Sequence, residues 1–396
     1  MKNKNKHGLR LTFLSLTLLL SVVNFGYSQE SSNSETIVSG HLKGLDVPYL
    51  FIDYTDDKTG DRVWDTIYVK NEKFSYITKI NKTKRIAIWP LLARRSKSQA
   101  MGKNANVEFL ARPGDKIVFK GNVTETFNAI PTGTTLCDDM NAYDKSIIPL
   151  NKKIAKIMKP LESLKYNDPK ADELYKSLTA KVAPVEVEIN TIKKNFIKEH
   201  PNSEVAAYYL SGLLTRKTIS EEEALELLTN FDDTVMANQY YIEAATRLKA
   251  VDATKVGNRV PELVTNTTID GKEFDLKSLR GKYVLIDFWG TWCGPCIAEM
   301  PTVKKYQENY KNNLVVVGIN SGDKKQVMID FITSKGYNWI QLMSKKGNNQ
   351  NDLVSKFNIS GFPTKFIISP EGIILEKHIG SSEDAFVKLD ELLGNK

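Results

Sequence analysis

The sequence predicts a chain in three parts: an all-β N-terminal region, a helical middle region, and a C-terminal α/β region with a mixed sheet flanked by helices. Three observations lead there. Short runs of β-branched and aromatic residues broken by turns fill residues 35–130, apolar residues at three- and four-residue spacing fill 135–254, and strand-like and helical patterns alternate over 258–396. A length of 396 residues, with 41% hydrophobic and 26% charged residues, suits several globular cores rather than one core or a disordered chain.

Residues 1–28 stand apart from the fold. Lys2, Lys4, Lys6 and Arg10 precede an apolar run from Leu11 to Val23, and Gly26, Tyr27 and Ser28 follow it, the pattern of a secretory signal peptide. The run is short for a membrane span, although left uncleaved it would hold the chain at a membrane. No cysteine lies near its end, so a lipid-attached N-terminus is not expected. Removing the leader takes four positive charges from the formal +8 and leaves +4. With no basic cluster interleaved with aromatics, nucleic acid is not an expected partner. Export to the periplasm or cell envelope is, and disulfides persist there.

In the first region the runs "YLFIDY" (49–54), "DTIYVK" (65–70), "KFSYITKI" (73–80), "RIAIWP" (85–90), "NVEFLA" (106–111) and "KIVFKG" (116–121) read as strands, with turns such as "RPGD" (112–115) between them. A small antiparallel β-sandwich or barrel is expected. The second region has apolar residues at Ile147, Leu150, Ile154, Ile157 and Leu161, then Val185, Val187, Ile192 and Phe196, punctuated by Pro160, Pro169 and Pro201. Ser220 with Glu223 makes a capping box. Four or five helices with core-facing stripes follow, and Cys137, alone at their start, is expected to be buried and inert.

A polar stretch, 249–263, separates these from the last region. There "KYVLIDFW" (282–289) is a strand covered on both faces, "LVVVGIN" (314–320) another, and "KFIISPEGIILEKHIG" (365–380) two antiparallel strands around the "PEG" turn at 370–372. Helical patterns follow the first strand, cover Lys325 to Lys335, and end near Leu393.

Chemistry concentrates in "DFWGTWCGPCIAEMP" (287–301). Zinc would need ligands beyond Cys293 and Cys296, but the histidines are His7, His41, His200 and His378 and there is no second cysteine pair. Covalent haem needs a histidine where Ile297 stands. A purely structural disulfide would close too small a loop to restrain the unfolded chain much. Redox exchange is left, with no metal and no cofactor. At the end of a buried strand and the start of a helix, Cys293 meets unpaired amide N–H groups that favour a thiolate, so it is the nucleophile. Cys296, about one turn inward, is the resolving thiol. Pro301 is expected to kink that helix rather than end it.

"FWGTWCGPC" with "IAEMP", and "GFPT" at 361–364, resemble the thioredoxin superfamily, in particular its exported thiol:disulfide oxidoreductase branch related to TlpA and ResA, over about residues 258–396. The segment 270–289 resembles the lead-in shared by this branch and the peroxiredoxins, and the extra strand and helix around 314–340 agree with the TlpA-like insertion. The β-rich region is similar to the accessory domain that often precedes thioredoxin-like domains in exported bacterial proteins. The resemblance implies that Asp287 is the buried acid assisting deprotonation of the resolving thiol, that Glu299 tunes the thiols, and that Pro363 is the cis-proline facing them. It also implies that Phe362 offers its backbone to an extended substrate and that Trp292 covers the exposed side of the disulfide. The activity so implied is reduction of protein disulfides in the envelope, with a membrane protein donating thiol electrons. Substrates of this branch include apocytochrome c cysteines in cytochrome c biogenesis, misoxidised exported proteins and isomerisation targets. Gly294 and Pro295 are the pair of thioredoxin itself and suggest a reducing potential. The β and helical regions, without chemistry of their own, would supply docking or dimer contacts. Two rivals stand beside this reading. A peroxiredoxin-like peroxidase would want threonine or serine three before its cysteine, where Gly290 stands, with Thr291 two before; the other rival is a redox-sensing binding or scaffold protein.

Overall fold

A computed structural model describes residues 35–56, 62–89, 107–122, 129–163, 170–346, 351–381 and 383–394. The leader at 1–28, Pro90, Asn106 and Pro169 lie outside the described residues.

The N-terminal region holds β1 (Thr36–Lys43), β2 (Tyr49–Thr55), β3 (Arg62–Lys70), β4 (Lys73–Thr78), β5 (Lys84–Trp89), β6 (Val107–Ala111), β7 (Lys116–Asn122) and β8 (Ile130–Thr132), in the sheet order β6-β5-β2-β3-β4-β1-β7-β8. Most of β3 pairs with β2, while its last two residues pair with β4. Ile52, Ile67 and Ile86 from one half of this sheet and Val38, Ile117 and Phe119 from the other share one core. One expectation is corrected: β1 and β7 run parallel, so the region is not wholly antiparallel. Local turn signals report hairpins, and this pairing joins segments far apart in the chain. Gly40 permits it, because a Cβ there would lie within 2.8 Å of both Phe74 and Phe119.

The middle region forms α1 (Thr135–Met158), α2 (Lys170–Glu199), α3 (Glu204–Thr215), α4 (Glu221–Thr229), α5 (Asp233–Met236) and α6 (Gln239–Ala253). These six exceed the expected four or five because α5 is a single turn, capped by Asp232 and too short to show a period. The capping box of α4 forms as its sequence implies, with Ser220 and Glu223 each satisfying the other's backbone N–H. Pro149 and Pro184 lie inside α1 and α2 without ending them. Helical residues Leu136, Cys137, Met140 and Leu210 pack in the same cluster as Phe109 and Phe119 of the sheet, so strands and helices share a core. Cys137 is fully buried there, and burial raises its thiol pKa.

The C-terminal region begins with the short pair β9 (Val264–Thr265) and β10 (Phe274–Asp275). Then come β11 (Tyr283–Trp289), α7 (Gly294–Asn309), β12 (Leu314–Ser321), α8 (Lys325–Lys335), β13 (Ile340–Ser344), α9 (Leu353–Lys356), β14 (Thr364–Ile368), β15 (Ile374–Ile379) and α10 (Asp384–Leu393). The sheet order is β13-β12-β11-β14-β15, with β11 parallel to β12 and antiparallel to β14. This is a thioredoxin-like α/β fold, its central strand β11 buried from Val284 to Trp289 between two apolar clusters. Pro301 lies inside α7, which continues to Asn309. The stretch 249–263 does more than separate regions: Gly257 N–H donates to Ile374 O (2.8 Å), Ile374 N–H to Asn258 O (2.9 Å), and Val260 N–H to Gly372 O (2.9 Å). No helix among the described residues is long and apolar enough to cross a membrane.

Candidate active site

Strand β11 ends in the core at Trp289, whose indole N–H donates to Gln341 Oε1 on β13 (3.0 Å). The chain then turns sharply. Gly290 is required in this turn, since a Cβ would collide with the Trp292 indole. The next residues are held from the end of β12: Thr291 donates its backbone N–H and its hydroxyl to Asp323 (2.7 and 2.6 Å), and the Trp292 indole N–H donates to Ser321 O (2.8 Å). Asn320 in turn donates to Asp323 (2.7 Å). Cys293 is thereby delivered as the N-cap of α7.

The two cysteines form a disulfide, Sγ–Sγ 2.01 Å, with Cα atoms 5.3 Å apart. The Cys296 N–H donates to Cys293 Sγ (3.2 Å), a sulfur that stands where the thiolate would be in the reduced protein. A first-turn amide aimed at the sulfur is the arrangement that lowers a thiol pKa. Cys293 retains 5% exposure and Cys296 only 1%, so the outer sulfur is the one a second disulfide can approach.

Opposite α7, the Phe362–Pro363 peptide bond is cis. Pro363 O accepts from Gly380 N–H (2.8 Å), which fixes the loop to the end of β15. The Phe362 ring meets Trp292 edge-on, with centroids 5.1 Å apart, joining the proline loop to the cysteine turn. Trp292 is 56% exposed. Phe362 N–H and C=O have no protein hydrogen-bond partner among the described residues.

The two expected acids belong to one buried cluster organised by a residue that sequence reasoning missed. Lys365 stands opposite Asp287 across the β11–β14 pair, its Nζ 3.2 Å from Asp287 Oδ1 and 2.5 Å from Glu299 Oε2. The Ser381 hydroxyl donates to Glu299 Oε1. Burial raises the Asp287 pKa; Lys365 opposes that shift and Glu299 adds to it. For Lys365, burial acts to lower the pKa, but Asp287 and Glu299 outweigh it and hold the ammonium above its ordinary range. A lone lysine within the apolar run "TKFII", two residues after the proline, was the available signal. Asp323 and Ser381 offered none, because their roles exist only through tertiary contacts.

A cysteine pair capping a helix at the end of a central strand, facing a cis-proline loop, defines the class of thioredoxin-fold thiol:disulfide oxidoreductases. Residues 255–393 match the Redoxin family model. The thioredoxin-like protein YneN of Bacillus subtilis is 33% identical over 128 residues, 32% of this chain and 72% of the relative. The thiol-disulfide oxidoreductase ResA of the same organism is 30% identical over 132 residues, 33% of this chain and 71% of the relative. A solved thioredoxin domain of a thiol-disulfide oxidoreductase from Bacteroides vulgatus is 25% identical, covering 35% of this chain and 98% of that one, with a TM-score of 0.32. The chain belongs to the TlpA/ResA-like branch of the thioredoxin superfamily, and it is a thiol:disulfide oxidoreductase.

Proposed function

We propose that the protein is exported to the cell envelope and there reduces protein disulfides through Cys293 and Cys296. The observation that carries this reading is the Cys293 sulfur, capping α7 and accepting from the Cys296 N–H, at the open side of a site whose second sulfur is sealed in the core. The Cys293 thiolate attacks one sulfur of a substrate disulfide; a Cys293–substrate S–S bond forms, and the other substrate sulfur leaves as a thiolate and takes a proton. Cys296 then gives up its proton, with Asp287 or Glu299 assisting, and attacks Cys293 Sγ. The substrate departs as a dithiol and the enzyme is left as the disulfide seen here, to be reduced again by a membrane thiol donor. An extended substrate segment would pair with the free backbone groups of Phe362, beside Trp292.

One feature of α7 supports the reducing direction. Pro295 has no N–H, so the first turn of α7 offers the thiolate one donor fewer than a proline-free turn would. A less stabilised thiolate makes the dithiol a better reductant. The peroxidase reading gains no support, because the Thr291 hydroxyl is committed to Asp323.

Substituting Cys296→Ser and exposing the exported protein to envelope extract tests the proposal. Mixed disulfides on Cys293, released by dithiothreitol, are expected; peroxide consumption without any such adduct would replace disulfide exchange with peroxidase chemistry.

A further inference from the structure

Away from the dithiol, a cavity of about 570 Å³ is lined by strands β6 and β8, by helices α1, α2, α3 and α6, and by Lys346, a size that suits a small organic molecule. Several polar groups facing it have no hydrogen-bond or ion-pair partner among the described residues. Tyr143 is 4% exposed and its buried hydroxyl makes no hydrogen bond among the described residues, which native structures generally avoid. Lys193 sets its ammonium over the rings of Tyr143 and Tyr209, 5.3 and 5.1 Å from their centroids. The Arg216 guanidinium folds back over α3, its Nη1 3.5 Å from where a Cβ on Gly212 would stand. Neither cation has an ion pair among the described residues.

The carboxylates nearby balance them only in part. Glu108 is engaged by Arg85 (2.6 Å) and by the Tyr208 hydroxyl (3.1 Å), and Glu243 by Arg247 (3.2 Å). Asp144 lines the cavity with no ion pair among the described residues; burial raises its pKa to about 6 and Lys193 opposes the shift, so it offsets at most one of the two cations. Burial lowers the Lys193 pKa to about 8, and the neighbouring Arg216 adds to the lowering. An anion between the two would relieve their repulsion.

We propose that this cavity binds a small organic anion, its carboxylate or phosphate held between Lys193 and Arg216 with the Tyr143 hydroxyl donating to it, and its apolar part against Met140, Ile147 and Ile189. Neither cysteine nor any residue of the cis-proline loop lines the cavity, although Arg247, which donates to Ile359 O, does.

The test uses the full folded chain and 8-anilinonaphthalene-1-sulfonate, an anion with apolar rings, followed by fluorescence. One saturable site is expected, displaced by decanoate or decyl phosphate and not by decanol; whichever displaces better identifies the headgroup. A Lys193→Met and Arg216→Met double variant should lose at least about tenfold in probe affinity, with insulin reduction unchanged. Should the double variant fail to fold, Tyr143→Phe removes only the hydroxyl and should weaken binding about threefold. Absence of saturable binding, equal displacement by decanol, or undiminished affinity in a folded variant overturns the proposal.

Discussion

Lys365 brings one positive charge into a buried cluster holding two carboxylates, Asp287 and Glu299. Three charges there would leave a net negative one in a medium that solvates it poorly. Asp287, 3% exposed, is the acid that burial pushes upward. A carboxyl raised above its ordinary range is better matched to take a proton from Cys296 than an ordinary surface aspartate. The same shift fixes a sign for stability. A folded-state pKa above the unfolded one means a contribution that is fully present below about pH 4 and is lost as pH rises through the raised value. Urea melts at increasing pH should show this loss, and Asp287→Asn should abolish it. Lys365→Met removes the cation that faces both carboxylates and should cost about 3 kcal/mol, since it leaves buried charge uncompensated. It should also move the pH–rate profile for insulin reduction to higher pH, because Asp287 rises further. A lysine with a merely structural role would lower stability and leave that profile where it is.

At the scale of elements, α7 sets the chemistry. Its first turn has no amide donor at Pro295, the Ile297 N–H is taken by Cys293 O (3.1 Å), and the Cys296 N–H is the one that reaches the Cys293 sulfur. Pro295→Ala adds a donor, and a further hydrogen bond to the thiolate is worth about 1.5 kcal/mol, or about 30 mV for the two-electron couple. The reduction potential, measured against glutathione or dithiothreitol, should become less negative by that amount; an unchanged or more negative value would remove the support drawn from Pro295. Such elements were legible because their signals are local. An unbroken apolar run marks β11 as covered on both faces, and "PEG" marks the β14–β15 turn. Strand β13 escaped notice because "IQLMS" is short and carries Gln341, whose side chain serves Trp289 from across the sheet. The parallel β1–β7 pair and the Asp287–Lys365–Glu299 cluster depend on distant segments meeting, and neither leaves a periodic trace.

Over the whole molecule, the helical layer reaches the redox site through Arg247. This guanidinium is 3% exposed, pairs with Glu243 (3.2 Å) and donates through Nη1 to Ile359 O (3.0 Å), four residues before the cis-proline. Further contacts run alongside: Lys377 Nζ donates to Thr254 Oγ1 (3.2 Å), and 257–260 bond to the backbone of 372–374. The position of the proline loop therefore depends on α6 as well as on β14 and β15. Arg247→Met keeps most of the side-chain volume but leaves the Glu243 carboxylate and the Ile359 carbonyl without their donor, at a cost of about 3 kcal/mol. Because that cost falls on the contact between layers rather than inside either core, calorimetry should resolve two unfolding transitions in the variant where the parent shows one. Insulin reduction should slow by about tenfold as the loop from Ile359 to Pro363 loses its anchor. One unsplit transition with an unchanged rate would mean that the redox domain holds its proline loop unaided, and that α6 only rests against it.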